Sequence, residues 1–239
     1  MSYYDTIAKR WHEATGYKGG AFKELVLNAV LLRKLPPIQD LTILELGAGN
    51  GYFLPLVFRH FSGQVPSAVV ITDQSRQQLD IAQKHFRLPM AEYRQMDVRQ
   101  RFPFEENYFD LILASMIFNE VSTRGFRQAL AECHRVLSPE GSFLMTVTHP
   151  DFVHSLHKGG TLKRTKAGVL TMPSGGSLRL PVVVRSVEAY RSGLAEAGFW
   201  LEEEEVYPTD EVLNAKPGLR YAGDVPLALV FKCGRSKPR

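Results

Sequence analysis

The chain alternates between short, nearly continuous apolar runs and segments whose apolar residues recur every three to four positions. The first pattern suits strands buried on both faces, and the second suits helices that bury one face. Thr42 to Leu46 is a β-branched apolar run that ends at glycines, and Tyr52 to Phe61 after it reads as a helix. Ser67 to Asp73 contains Ala68-Val69-Val70-Ile71, a second buried strand. Ser75 opens a helix through a Ser-x-x-Gln capping box ending at Gln78, with Leu79, Ala82 and Phe86 at helical spacing. Ala91 to Asp97 predicts a third strand, and the apolar stretch Phe109 to Ser115 a fourth, at the centre of a parallel sheet. Phe126, Leu130, Cys133 and Leu137 line a helix face that ends where Ser138-Pro139-Glu140-Gly141 forces a turn, and Ser142 to His149 is the fifth strand. Val187, Tyr190, Leu194 and Ala197 share a later helix face closed by Gly198, before two last strands at Trp200 to Tyr207 and Pro226 to Cys233. Strands alternating with helices predict an α/β fold, a doubly wound, mostly parallel seven-stranded sheet with helices on both faces.

Two segments lie outside that rhythm. Ile7, Ala8 and Trp11 share a helix face and Phe22 to Leu35 is a second apolar helix, so residues 1–40 form a helical cap ahead of the sheet. Between Pro150 and Arg185 the chain becomes rich in Gly, Lys and Pro. Short alternating pieces at Gly168 to Met172 and Leu178 to Val184, separated by Pro173-Ser174-Gly175-Gly176, predict a β-hairpin lid inserted after strand five. The 239 residues therefore read as a single domain with a cap and a lid at 150–185.

Composition narrows the class. With 44% hydrophobic and 23% charged residues the chain is an ordinary globule, and its apolar runs are shorter than a membrane span requires. The N-terminal residues lack the basic and apolar regions of a secretory signal, so a cytoplasmic location is expected. Cys133 and Cys233 have no Cys or His at metal-ligand spacing and read as buried apolar residues, and no metal is expected. The Glu202 to Glu205 run reads as an exposed strand edge that discourages aggregation. From Asp151 to Arg185 there are six Lys/Arg against one acid, a basic segment open to an acidic acceptor or to RNA.

Candidate chemistry starts at Glu45-Leu46-Gly47-Ala48-Gly49-Asn50-Gly51, where a strand runs into a glycine turn and then a helix. Tyr52 stands where the dinucleotide fingerprint would need its third glycine, which weakens a nicotinamide reading. The spacing Glu-x-Gly-x-Gly-x-Gly instead resembles the first motif of the class I S-adenosylmethionine-dependent methyltransferases, a Rossmann-like family. The resemblance continues through Asp73, Asp97-Val98, Phe109 to Ser115 and Arg135-Val136-Leu137-Ser138-Pro139-Glu140-Gly141, where Glu140 replaces a glycine. It implies S-adenosyl-L-methionine as cofactor and S-adenosyl-L-homocysteine as product. Gly47, Ala48, Gly49 and Gly51 would wrap the methionine end, Glu45 would fix its ammonium, and Ser115, ending the fourth motif, would also contact the cofactor. Asp73 would accept hydrogen bonds from the ribose hydroxyls with Gln74 adjacent, while Asp97 would meet the adenine amino group and Val98 the ring.

Methyl transfer from a sulfonium needs proximity, alignment and, for some nucleophiles, removal of a proton. Two catalytic candidates follow the fourth and fifth strands: Asn119, whose amide can orient but not deprotonate, and His149, whose pKa suits a base near neutrality. Tyr4, Trp11 and Tyr17 are expected to close over cofactor and substrate. The expected acceptor is a small molecule with an N or O nucleophile. RNA is the alternative partner, disfavoured because aromatics are not interleaved with Lys158, Lys163, Arg164 and Lys166. A cofactor-binding protein without transfer is the other alternative. The oligomeric state is not specified by these residues.

Overall fold

The computed structural model describes residues 3–88, 90–166, 169–174, 178–215 and 224–236. Among these residues, helix α1 (Tyr3–Thr15) leads through Gly19 and Gly20 into a π-helical turn (Lys23–Leu27) that continues as α2 (Asn28–Lys34). There follow β1 (Thr42–Leu46), α3 (Phe53–His60), β2 (Ala68–Asp73), α4 (Arg76–His85), β3 (Ala91–Gln95) and β4 (Phe109–Ser115). A 3-10 turn (Ile117–Asn119) precedes α5 (Thr123–Val136), β5 (Leu137–Thr148) and α6 (Pro150–Lys158). The remainder comprises β6 (Lys163–Arg164), β7 (Leu170–Ser174), β8 (Leu178–Pro181), α7 (Val187–Glu196), β9 (Trp200–Val206), α8 (Asp210–Ala215) and β10 (Ala228–Gly234).

Among the described residues, seven strands form one sheet in the order β3-β2-β1-β4-β5-β10-β9. The pairs from β3 to β5 are parallel, and β10 runs antiparallel to both β5 and β9. Strand order reverses between β1 and β4, so a crevice opens at the carboxyl ends of these strands, where ligands bind in such sheets. Alternating side chains feed two cores. Leu44, Leu46, Ile112 and Ala114 pack with Phe126 and Leu130 of α5 and Tyr190 of α7, while Ile43, Leu111 and Leu113 pack with Leu31, Leu54 and Phe152. At the opposite end of the sheet Asp110 accepts from the Thr42 backbone N–H (2.9 Å) and from the Ser138 hydroxyl (3.1 Å), tying β1 and β5 to β4.

The expected elements are present with five differences. Ser138 to Gly141 is not a separate turn: β5 begins at Leu137 and absorbs the segment as a register shift opposite Phe109 and Leu111. The start of the expected lid is α6, because Pro150 opens a helix, Phe152, Val153 and Leu156 give it a buried face, and His149 caps it. The lid hairpin is not inserted into the main sheet but forms its own antiparallel sheet, β6-β7-β8. Gly168, Gly175 and Gly176, named in the hairpin expectation, lie outside the described residues. The second cap helix begins as a π turn, and α8 was not expected at all.

Both cysteines are buried and free, and no His/Cys/Asp/Glu group among the described residues could hold a metal. The glutamates of edge strand β9 pair with their surroundings, Glu203 with Arg191 and Glu204 with Arg33 and Lys34. No described helix is long and apolar enough to cross a membrane.

Candidate active site

Strand β1 delivers a turn in which Gly47 and Gly49 take left-handed φ values of 62° and 58°. A side chain at Gly47 would also fall 2.4 Å from the Ile117 methyl, so the Ile117 side chain of the turn after β4 can pack against the loop backbone only because Gly47 has no side chain. Gly51 serves a different purpose. An added Cβ would stand 2.6 Å from that of Ala82, which makes Gly51 the contact that lets α4 pack against the loop.

Asp73, ending β2, fastens this loop. Its Oδ2 accepts from the Gly49 backbone N–H (2.9 Å) and its Oδ1 from that of Ser75 (2.8 Å). Burial raises the Asp73 carboxyl above its ordinary range, and the two backbone donors oppose the rise. Ser75 caps α4 by accepting from the Gln78 N–H, and its hydroxyl donates to Asp5 of α1 (2.7 Å), which ties the cap to the loop.

A cavity of about 760 Å³ opens over these strand ends. Of the residues singled out in the sequence, Gly47, Ala48, Gly49, Asp73, Gln74, Asp97, Val98, Ser115 and Asn119 line it, together with Tyr4 and Trp11 of the cap. The Asp97 carboxylate is also bound by the Arg99 guanidinium (2.6 Å), which holds it below the usual carboxylate range. Glu45 is buried behind the loop. Its Oε2 has no hydrogen-bond partner among the described residues, and burial pushes its pKa up to about 8.

The structure separates the remaining candidates from the cavity or commits them elsewhere. The Asn119 amide donates to the Thr148 hydroxyl (3.0 Å) and its Oδ1 accepts from the Thr148 backbone N–H (2.9 Å), so it latches the turn after β4 to the end of β5. His149 is 2% exposed and absent from the cavity lining. Its Nδ1 accepts from the Asp151 N–H, capping α6, and its Nε2 lies 3.6 Å from Glu205, while burial lowers its pKa. Tyr17 is 58% exposed and packs on the rings of His12, His85 and Phe86, outside the cavity.

Three lining residues were not anticipated. The Tyr4 hydroxyl donates to Oε1 of Glu120, whose pKa burial pushes up to about 8. Lys23, at the start of the π turn, projects its ammonium over the Tyr52 ring, 5.0 Å from the centroid, and burial lowers its pKa to about 8. Tyr52 itself is 3% exposed and packs against Gly19, where any Cβ would overlap its ring. The legible signal was charge in the wrong place: Lys23 lies in the apolar Phe22 to Leu35 run, and Glu120 follows a buried strand.

The orphaned Glu45 oxygen and the left-handed glycine cradle fit a ligand with an ammonium group and a tail laid along backbone, as an amino-acid sulfonium cofactor has. Comparison with known proteins agrees. Residues 43–141 match the family described as "Methyltransferase domain". An S-adenosylmethionine-dependent methyltransferase from Mesorhizobium loti superposes with a TM-score of 0.64 at 25% identity, over 91% of this chain and 99% of that one. A malonyl-[acyl-carrier protein] O-methyltransferase from Coxiella burnetii is 28% identical over 150 residues, 63% of this chain and 48% of that protein. A highly reducing polyketide synthase from Pyrenophora dematioidea is 26% identical over 156 residues, 62% of this chain. The chain spans about 6% of the length of that synthase. Motif order, strand order and these matches together make the chain a member of the class I S-adenosylmethionine-dependent methyltransferase superfamily.

Proposed function

We propose that this chain methylates a small-molecule acceptor held in the cavity beneath the cap and the lid, with the Glu120 carboxylate accepting the proton the acceptor loses. The observation that carries this reading is the cavity itself. Its 760 Å³ lies within the roughly 300–1,000 Å³ range of small-molecule sites. Apolar residues of the cap (Phe22), α6 (Phe152, Leu156) and the lid (Met172, Leu180) wall part of it. That wall suits an acceptor with an apolar body and one O–H or N–H group.

S-adenosylmethionine, when bound, supplies a methyl group already activated by its sulfonium. The chain's own work is to bind, orient and exclude water. Gly47 to Gly49, Glu45, Asp73 and Asp97 hold the cofactor. Tyr4 fixes Glu120 by donating to Oε1, which leaves Oε2 to receive a proton. A carboxyl raised to about 8 is a stronger base than an ordinary glutamate and is matched to neutral or mildly alkaline pH. We assign this role to Glu120 rather than His149 because Glu120 lines the cavity and His149 does not. Lys158, Lys163, Arg164 and Lys166, which motivated an RNA acceptor, do not line the cavity.

The test is incubation with methyl-labelled S-adenosylmethionine and separately a low-mass metabolite extract, total RNA and total protein. Label in the low-mass fraction is the expected result. Label confined to RNA or protein would overturn the acceptor class.

A further inference from the structure

Between Asp151 and Arg185 six Lys/Arg stand against one acid, yet none of the six lines the cavity. Lys158, Lys163, Arg164 and Lys166 are exposed. What these segments turn inward is apolar: α6 contributes Phe152 and Leu156, β7 Met172 and Pro173, and β8 Leu180 and Pro181. Among the described residues, the one further lining residue after β5 is Val212 of α8, apolar as well. The polar lining residues, Asp73, Asn119 and Glu120 among them, come from the cap, the strand ends and the loops that follow those ends. A polar group of an acceptor set against the lid wall would lose its water and gain no partner.

The wall also has a shape. Phe22 of the cap and Phe152 of α6 stack with ring centroids 6.3 Å apart and planes 12° from parallel. A third ring between them would need about 7–8 Å, two carbon contact distances, so the pair does not sandwich a planar acceptor. The neighbouring lining residues Val26, Leu156, Met172, Leu180 and Val212 are all aliphatic. Met172 and Leu180 are register partners on β7 and β8, so they stand side by side on one face of the hairpin. That hairpin is fastened on three sides. The Val183 N–H donates to the Asn119 carbonyl (2.7 Å), Arg179 Nη2 to the Thr161 carbonyl (2.6 Å) and the Tyr3 hydroxyl to the Arg179 carbonyl (2.9 Å). The first of these bonds ties the exit of the lid to the turn that carries Glu120, so the hairpin and Glu120 keep a set separation.

We infer that the acceptor is an aliphatic-chain compound, with its nucleophilic end at Glu120 and its chain against the lid wall, and that the Met172–Leu180 pair sets the chain length accepted. The inference rests on the cavity being the small-molecule acceptor site. Selection by such a wall works through the number of methylenes buried, since no hydrogen bond is on offer there.

The experiment titrates the full chain, saturated with S-adenosylhomocysteine, with the straight-chain primary alcohols from butanol to decanol by calorimetry. Affinity should rise about threefold to fourfold for each added methylene until the wall is filled, and then level off. Leu180→Trp should move the levelling point to a shorter chain, and Met172→Ala to a longer one. Affinity that does not rise with chain length in the wild type overturns the inference without any variant having to fold. A levelling point that stays in place in both variants, each still binding S-adenosylhomocysteine, overturns the role of the pair. In the labelling experiment above, the low-mass product should enter the organic phase of a chloroform extract. Low-mass label left wholly in water overturns the inference while a small-molecule acceptor stands. Failure of the wild type to bind S-adenosylhomocysteine, or label confined to RNA or protein, would instead remove the reading of the cavity on which the inference rests.

Discussion

The Asp73 carboxylate and the Gly49 backbone N–H meet at 2.9 Å, so the acid that ends β2 holds the turn that follows β1. One side chain thereby shapes the loop as well as facing the cavity. Asp73→Ala removes the acceptor for Gly49 and for Ser75 together. The expected outcome in calorimetry is at least an approximately tenfold weaker S-adenosylhomocysteine affinity, with a lower melting temperature, because each charge-assisted bond lost is worth about 1.5–3 kcal/mol. Unchanged affinity would remove the assignment.

Glu120→Gln keeps shape and the capacity to accept from Tyr4 but cannot take a proton. Once an acceptor is known, wild-type kcat/KM should rise with pH through about 8, where the raised carboxyl is half ionised, and level off above it. The variant should lose this rising limb and about 10²–10⁴-fold in rate, with S-adenosylhomocysteine affinity unaltered. A profile identical to that of the wild type would assign Glu120 to packing.

Arg185 organises the turn that carries Glu120. It is 5% exposed, its Nη1 donates to the Phe118 carbonyl (2.8 Å) and its Nη2 to that of Val121, and its guanidinium lies over the rings of Phe126 and Tyr190. Arg185→Met leaves both carbonyls without those donors. A cost of about 2–6 kcal/mol is expected, from about 1–3 kcal/mol for each of the two carbonyls, readable in denaturant unfolding.

The pH dependence of stability follows from Glu45. Its folded pKa is raised by burial, so between about 4.5 and 8 the folded state binds more protons than the unfolded one, and stability falls as pH rises through that window. Glu45→Gln should remove this loss, raising the melting temperature of the empty protein at pH 8.5 more than at pH 5, while weakening S-adenosylhomocysteine binding. An equal shift at both pH values would contradict the buried-carboxyl account.

His149→Ala should retain methyl transfer within about twofold and lose about 0.5–2 kcal/mol of stability, the usual effect of deleting a helix N-cap. His149→Asn should restore the stability. A loss of activity of a hundredfold with the fold intact would return His149 to the reaction.

The sequence by itself determined the strands of the main sheet and their alternation with helices, because both rest on local physics. Buried parallel strands demand continuous apolar runs, as in Phe109 to Ser115, and a left-handed turn demands glycine, as at Gly47 and Gly49. Asp73 and Asp97 were singled out by the resemblance of their motifs to the family, and the parallel sheet brings both strand ends to the edge where the cavity opens. The tertiary structure decided what each side chain spends its hydrogen bonds on. Asn119 and His149 have the chemistry expected of a site, but Thr148 and the Asp151 N–H already use them. Glu120 and Lys23 show in one dimension only as charges placed in or after an apolar run. Only the packing of the cap over the strand ends encloses them, and enclosure raises the carboxyl and lowers the ammonium, because a charge removed from water without a partner is costly.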